Sequence, residues 1–270
     1  MKKPRKFRAA VLLTAVLAAV YCNYTIQSEE WVVSSSRLPQ SFDGLKITLL
    51  TDIHGGRFGT DSQTLLEAVR VAEPDYIAIS GDLVDEYSDL SMLSPLLKGL
   101  TAIAPTCYVT GNHEWSRTDT EEVLSQISQE GVTVLRNDYL LLEQDGQTLV
   151  LAGGEDPNGY ADMESPEDFM ARLRAEIPGD PYTVLLYHRN DALTQWADLQ
   201  ADLVLSGHGH GGVIRLPVVG GLLGTDRRLF PDNDQGLYTR SRTTMAVSRG
   251  LGGVRLWNRP HLPTIVLKKG

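Results

Sequence analysis

The residues best suited to chemistry are histidines and acidic residues that recur in five short polar segments, each preceded by an apolar run. Five of the six histidines of the chain lie in these segments, whereas His261 has no motif around it and is interpreted as incidental. Imidazole and carboxylate groups that converge on one place are typical metal ligands. The five histidines are His54, His113, His188, His208 and His210.

Two of the segments repeat a spacing that suits metal binding. Asp52 and His54 are two residues apart, and so are His208 and His210. Two residues at this spacing share one side of a strand, and a loop that follows the strand can direct both at one ion. The glycines that precede His208 and His210 are expected to let the backbone turn sharply.

Two further segments add oxygen ligands. Asp82 offers two carboxylate oxygens, enough to bridge two ions, and Asn112 offers a neutral carbonyl oxygen that limits the charge of the site. Mixed nitrogen and oxygen ligands favour Mn, Fe, Zn or Co over Ca or Mg, which prefer oxygen alone. The two cysteines, Cys22 and Cys107, predict neither a disulfide nor a cysteine-based zinc site.

Short apolar runs and amphipathic segments must position these residues. The runs are of strand length and end in glycine or polar residues, which favours buried strands over helices. They cover residues 46–50, 76–79, 107–109, 183–187 and 201–205. Helical patterns cover residues 61–72, 119–130 and 165–177, the last with a Ser-Pro-Glu start. Strands that alternate with helices predict a layered α/β domain with the polar segments at the carboxyl ends of its strands.

The N-terminus predicts an address rather than part of the fold. Five basic residues precede an apolar run over residues 9–22, a pattern typical of an export signal or an uncleaved anchor. We therefore assign residues 1–30 to a signal or membrane anchor and residues 31–270 to the functional domain. The positive-inside rule then predicts a domain that is membrane-anchored outside the cytoplasm, or exported. The net charge of −9 argues against nucleic acid as a partner.

The motifs, taken in order, resemble those of the calcineurin-like metallophosphoesterases, and the resemblance spans residues 42–267. It is nearest to the small membrane-associated or exported bacterial branch. Each motif alone is weak, but the set is specific. The motifs are Asp52-x-His54, Gly81-Asp82-x-x-Asp85, Gly111-Asn112-His113-Glu114, His188 and Gly207-His208-x-His210.

The resemblance implies a β-sandwich core flanked by helices, with two divalent ions at the carboxyl ends of the strands. One ion would be held by Asp52, His54 and His210, the other by Asn112, His188 and His208, with Asp82 bridging. Two ions about 3.5–4 Å apart can clamp a phosphoryl group and deprotonate a bridging water, which attacks in line.

Residues around the metal ligands have implied roles as well. His113 would stabilise or protonate the leaving oxygen, and Asp85 would orient His113. Arg57 and Arg249 are candidates to bind substrate phosphate, because a guanidinium matches phosphate oxygens, although each is equally well explained as a solvated arginine. Val213 stands where members of this branch often carry glutamine, which puts substrate contacts rather than metal ligands in doubt.

Three classes of function are compatible with such a site. The leading hypothesis is hydrolysis of a phosphodiester, diphosphate or phosphomonoester, with a lipid-linked or cell-envelope phosphate as the natural substrate. The alternatives are a non-catalytic metal-binding module of the same fold and a metal storage or sensing protein. A non-catalytic relative should lack ligands or the acid histidine, and here both are present. The oligomeric state is left open.

Overall fold

The computed structural model describes residues 9, 12–14, 16–17, 20–22, 25–216, 219–225, 227–253 and 257–270. The strands are β1 (Gln27–Ser35), β2 (Lys46–Leu50), β3 (Tyr76–Ser80), β4 (Thr106–Val109), β5 (Thr133–Val134), β6 (Asp138–Gln144), β7 (Gln147–Gly153), β8 (Tyr182–Leu186), β9 (Leu203–Ser206), β10 (Ile214–Leu216), β11 (Gly220–Leu223), β12 (Gly236–Arg240), β13 (Thr243–Val247) and β14 (His261–Lys269). The helices are α1 (Gln63–Ala72), α2 (Leu93–Thr101), α3 (Asn112–Trp115), α4 (Thr120–Gln129), α5 (Pro166–Glu176) and α6 (Leu193–Asp198).

Two six-stranded sheets form the centre of the fold. The first has the strand order β1-β14-β2-β3-β4-β5, and the second has the order β12-β13-β9-β8-β7-β6. Strands β2 to β5 are mutually parallel, as are β7, β8 and β9, so that each sheet has a run of strands whose carboxyl ends share one edge. Strands β10 and β11 form a separate antiparallel hairpin.

Three apolar layers hold the sheets and helices together. The inner layer lies between the two sheets and includes Leu49, Val109, Leu151, Leu186 and Leu205. Helices α1, α2 and α4 cover the outer face of the first sheet through Leu65, Leu97 and Ile127. Helices α5 and α6 cover the second sheet through Phe169 and Trp196. The prediction of a layered α/β fold, with a β-sandwich flanked by helices, is confirmed.

The elements predicted from sequence periodicity appear within about two residues of their expected ends. The pattern at 61–72 is split, because a short 3-10 turn over Thr60–Ser62 precedes α1. Ser165 caps α5, since its hydroxyl accepts a hydrogen bond from the backbone N–H of Asp168 and Pro166 takes the first helical position.

The N-terminal region differs from the expected boundary. Strand β1 begins at Gln27, four residues before the position at which the sequence placed the start of the domain. In the part of the chain that the structure describes, no helix is both long enough and apolar enough to cross a membrane. Half of the residues of the predicted signal or anchor, residues 1–30, lie outside this description.

Candidate metal centre

Loops at the carboxyl ends of five strands bring the predicted ligands to one cleft, and both sheets contribute. Asp52 and His54 follow β2, Asp82 follows β3, and Asn112 opens α3 after β4. From the second sheet, His188 follows β8, and His208 and His210 follow β9. Short loops between buried strands leave little freedom, so these side chains converge.

Asp52, His54 and His210 form one group, and their ligand atoms all lie within 4.8 Å of one another. The Nε2 atoms of the two histidines are 3.3 Å apart, and His210 Nε2 is 3.4 Å from Asp52 Oδ1. Thr51 Oγ1 donates a hydrogen bond to Asp52 Oδ2 at 2.8 Å, and the backbone N–H of His208 donates to the same carboxylate. These bonds fix the orientation of Asp52 in the way that outer groups orient metal ligands.

Asp82, His188 and His208 form a second group of the same size. His188 Nε2 is 3.1 Å from Asp82 Oδ2, and His208 Nδ1 is 3.2 Å from His188 Nε2. His188 Nδ1 donates to the carbonyl oxygen of Ser80 at 2.8 Å, which leaves Nε2 as the ring nitrogen that faces the cleft and is available to a metal ion.

Asp82 lies between the two groups. Its Oδ2 is 3.1 Å from His188 Nε2 and 3.8 Å from His54 Nε2, while Oδ1 accepts a hydrogen bond from the backbone N–H of His113. Burial alone would lower the pKa of His188, but the carboxylates of Asp82 and Asp52 raise it to about 10. The cleft therefore concentrates negative charge that favours a bound cation.

The donor set fits divalent ions. Asn112 Oδ1 is buried and, among the residues that the structure describes, has no hydrogen-bond partner. A buried carbonyl oxygen without a partner costs free energy, and a metal ion would satisfy it. With imidazole nitrogens and carboxylate oxygens beside it, the set suits Mn, Fe, Zn or Co.

Five of the predicted ligands have a strained backbone. The φ angles of Asp52, His54, Asp82, His208 and His210 are 51°, 50°, 51°, 66° and 51°. Such left-handed conformations are uncommon for residues with a Cβ atom and persist where the surrounding structure imposes them. Their concentration at one cleft indicates that the backbone is shaped to direct side chains inward rather than to minimise its own energy.

The glycines at 207 and 209 serve a different purpose from the one predicted. Neither has a positive φ; the turn is made by His208 and His210 themselves. A Cβ atom on Gly207 would collide with Thr51 Oγ1 and with Asp52 Oδ2. The prediction that these glycines provide the turn is therefore wrong, and Gly207 is needed for the close approach of the β9 loop to the β2 loop.

His113 lies in the same cleft, but its partner is not the predicted one. A cavity of about 300 Å³ contains His113 together with metal-ligand candidates such as Asp82 and His208. His113 Nδ1 is 2.9 Å from Glu86 Oε2. Asp85 instead accepts a hydrogen bond from Ser88 Oγ, and its other oxygen lies 3.9 Å from His54 Nδ1. The assignment of Asp85 as the group that orients His113 is corrected to Glu86, because the loop turns at Asp85.

Glu114 supports the centre, a role that its place in the Gly111-Asn112-His113-Glu114 motif does not by itself indicate. Its buried carboxylate accepts hydrogen bonds from the backbone N–H groups of Asp82, Val84 and Gly111 at 3.0, 3.0 and 2.7 Å. Burial and the nearby Asp82 charge raise the pKa of Glu114 to about 7, although the backbone bonds oppose that shift. Glu114 thus ties the β3 loop to the start of α3.

The remaining predicted residues lie apart from the ligand groups. Arg57 is 67% exposed and pairs with Asp89 at 2.5 Å on the surface. Arg249 is buried and donates hydrogen bonds to Gln27 and Gln235. His261, interpreted as incidental to the site, is likewise not part of the ligand groups.

His261 is buried at the start of β14, where it contacts Trp31 and lies 3.4 Å from Glu29 Oε2. It therefore helps to join the first strand of the chain to the last.

Comparisons with known proteins agree with this geometry. A profile of the calcineurin-like phosphoesterase family matches residues 45–212. The Bacillus subtilis protein YkuE, described as an uncharacterized metallophosphoesterase, is 32% identical over 96% of this chain and 93% of its own length. The Escherichia coli phosphodiesterase YaeI is 29% identical over 82% of each chain. A Danio rerio transmembrane protein with a metallophosphoesterase domain is 30% identical over 96% of this chain and 62% of its own length.

A solved structure supports the fold alone. The Haemophilus influenzae NAD nucleotidase NadN aligns with a TM-score of 0.50 and 13% sequence identity, over 76% of this chain and 45% of its own.

Proposed function

This chain belongs to the calcineurin-like phosphoesterase family and is a metal-dependent phosphoester hydrolase, and we propose that it uses two divalent ions to hydrolyse a phosphodiester, diphosphate or phosphomonoester. One ion would be held by Asp52, His54 and His210, the other by Asn112, His188 and His208, and Asp82 would bridge them. When bound, such a pair supplies Lewis-acid stabilisation of the phosphoryl oxygens and an activated water.

The position of Asp82 is the observation that carries the proposal. A carboxylate with one oxygen 3.1 Å from a ligand of the second group and 3.8 Å from a ligand of the first can serve both ions. The buried Asn112 Oδ1, which has no hydrogen-bond partner among the described residues, adds a further oxygen ligand.

A histidine of the chain, His113, would donate the proton to the leaving oxygen. Because Nδ1 of His113 faces Glu86, the other ring nitrogen, Nε2, is the one that can donate to a substrate. Burial would lower the pKa of His113, but the hydrogen bond to Glu86 and the charge of Asp82 raise it above the usual value, which favours the protonated donor.

We also propose that the substrate is a lipid-linked or cell-envelope phosphate, met at or beyond the outer face of a membrane. The basic and apolar start of the chain supports this, as does the similarity to a relative described as a transmembrane protein. The membrane location is tested by comparing how much of the full chain, and of a variant that lacks residues 1–24, is retained on membranes. Equal retention of the two proteins would contradict the proposal.

Hydrolysis of two chromogenic esters tests the two-ion proposal. Bis(p-nitrophenyl) phosphate and p-nitrophenyl phosphate are assayed with the full chain after chelation and after adding back Mn, Zn, Mg or Fe. We expect turnover to vanish on chelation and to return with about two equivalents of metal per chain. Full turnover with one equivalent would contradict a two-ion mechanism, and bound metal without turnover would favour the non-catalytic module.

A further inference from the structure

A second cavity lies where the N-terminal segment meets the domain. It has a volume of about 410 Å³, and its lining includes Cys22 and Gln27 from the N-terminal side. From the domain come three arginines, Arg215, Arg249 and Arg259. We call this cavity the arginine pocket. Among its described lining residues, Asp234 is the one acidic side chain.

Arg249 is the most buried of the three, with 6% of its surface exposed. Its Nη1 donates to Gln235 Oε1 at 3.0 Å and its Nη2 donates to Gln27 Oε1 at 2.9 Å. These amide oxygens orient the guanidinium, and the charges of Glu29 and Asp234 also act on it. Burial, followed by the repulsion of Arg215, lowers the pKa of Arg249 to about 10, although the charge of Glu29 opposes this shift; an anion in the pocket would stabilise the charged guanidinium further.

The other two arginines are held in place by the loops around them. Arg215 pairs with Asp234 at 2.7 Å and also donates to the carbonyl oxygen of Gly211. Arg259 donates to the carbonyl oxygens of Thr25 and Ile26. Three guanidinium groups therefore line the pocket together with the carboxylate of Asp234, and fixed guanidinium groups bind phosphate oxygens with good geometry.

The rim of the pocket is apolar. Val219 is 58% exposed and Trp257 is 49% exposed, and both line the same cavity as the arginines. A charged floor below an exposed apolar rim suits a phosphate that carries an alkyl or acyl group.

The arginine pocket is separate from the metal centre. The lining residues of the two cavities do not overlap. Between them runs the loop after His210, in which a Cβ atom on Gly211 would collide with the Arg249 side chain. A ligand in this pocket would therefore contact the back of the loop that carries His210 rather than the metal ligands.

We propose that the arginine pocket binds a phosphate group, carried either by a phospholipid headgroup or by a soluble phosphate compound. This inference goes beyond the hydrolysis proposed for the metal centre and does not depend on it.

Titration of the full chain in nonionic detergent with inorganic phosphate tests the pocket, with tryptophan fluorescence as the readout because Trp257 lines it. We expect Arg215→Gln to weaken binding at least about ten-fold, since it removes a charge-assisted contact. Arg70→Gln, at an exposed arginine outside the pocket, is the matched control and should bind normally. Asp82→Asn should keep the response. A response lost in Asp82→Asn, or unchanged in Arg215→Gln, overturns the proposal.

Vesicle binding separates the two sources of phosphate. The full chain is sedimented with phosphatidylcholine vesicles that contain or lack phosphatidylglycerol, and Arg259→Gln serves as a second variant in case Arg215→Gln fails to fold. All variants share the same basic N-terminus, so a difference between them reports the pocket. If the variants bind the anionic vesicles more weakly than the unmodified chain does, and inorganic phosphate competes with the vesicles, the ligand is assigned as a lipid headgroup. Unchanged vesicle binding with weakened phosphate binding assigns a soluble compound, and no change in either overturns the proposal.

Discussion

His113 and Asp82 lie in one cleft, but their substitution should affect metal content and kcat differently. We expect His113→Ala to retain both ions and to lose about 10²- to 10⁴-fold in kcat, the range of general-acid catalysis. The loss should be larger for a diester with an alkyl leaving group than for one that releases p-nitrophenol, since a weakly basic leaving group needs less protonation. Asp82→Ala should lose metal and turnover together. Metal content and kcat for both esters are the measurements; an equal loss for the two leaving groups would contradict proton donation by His113.

Glu86 and Asp85 are adjacent, and the structure separates their effects. Glu86 Oε2 contacts His113 Nδ1, whereas Asp85 holds the turn through Ser88. We expect Glu86→Gln to lower kcat by about ten-fold, with the same dependence on the leaving group as His113→Ala. Asp85→Asn should show no such dependence. If Asp85→Asn instead reproduces the leaving-group effect, the partner of His113 has been misassigned.

Glu114 should act on the metal centre without being a ligand. In Glu114→Gln, one side-chain oxygen is replaced by an N–H donor that opposes a backbone N–H, at a cost of about 1–3 kcal/mol. Because that backbone belongs to Asp82, Val84 or Gly111, we expect metal affinity to fall at least about ten-fold. Metal titration measures this, with the exposed Glu122→Gln as control. Normal affinity in Glu114→Gln would show that the loop holds its shape without this carboxylate.

The residue types and their order predicted which side chains converge, because each motif follows an apolar run at a strand end. The family resemblance assigned the partner of His113 to Asp85, and the sequence did not point to Glu86, because the direction of each side chain depends on where the loop turns. The sequence also could not assign the left-handed angles to His208 and His210, because glycine is the residue that normally adopts them. Local backbone strain is imposed by the packed sheets and has no signal in the sequence.

The close approach of two loops makes Gly207 sensitive to the smallest side chain. A methyl group there would push Thr51 and Asp52, and Thr51 is what orients Asp52. We expect Gly207→Ala to weaken metal binding at least about ten-fold. Gly146→Ala is the control: its φ of 71° makes alanine cost about 1 kcal/mol, but no atom lies within 4 Å of the added carbon. Calorimetric metal titration and thermal unfolding distinguish the two; a lowered Tm with normal metal affinity in both would contradict the argument.

Strands and helices whose own residues indicate their type could be predicted from the sequence, and those stabilised mainly by packing could not. The parallel strands β2, β3, β4, β8 and β9 are short and mainly apolar, so their type follows from the sequence. Helix α2 contains Gly99, which is unfavourable in a helix interior, and is stabilised by burial of Leu93, Leu96, Leu97 and Leu100. Packing of this kind overrides propensity and becomes visible only in the fold.

The pairing of strand β1 with strand β14 is the feature of the fold that the sequence pattern predicts least. Strand β1 is parallel to β14, with Gln27 opposite His261 and Ser35 opposite Lys269. More than two hundred residues separate the partners, so no periodicity links them. This pairing brings Glu29 to His261, whose hydrogen bond lowers the pKa of Glu29 to about 2, and it brings Gln27 to the arginine pocket.

A domain that begins at residue 31 should therefore be less stable than one that begins at residue 25. Starting at 31 removes the first four residues of β1, the Gln27 acceptor of Arg249 and the Glu29 partner of His261. It also removes the Thr25 and Ile26 carbonyls that Arg259 contacts. Several hydrogen bonds of about 1 kcal/mol each are lost, which should lower Tm by at least about 5 °C. Thermal unfolding of fragments 25–270 and 31–270, followed by circular dichroism, measures the difference. Metal affinity should be equal in the two fragments, because none of the deleted residues reaches the metal centre, and an equal Tm would show that the start of β1 contributes little to the fold.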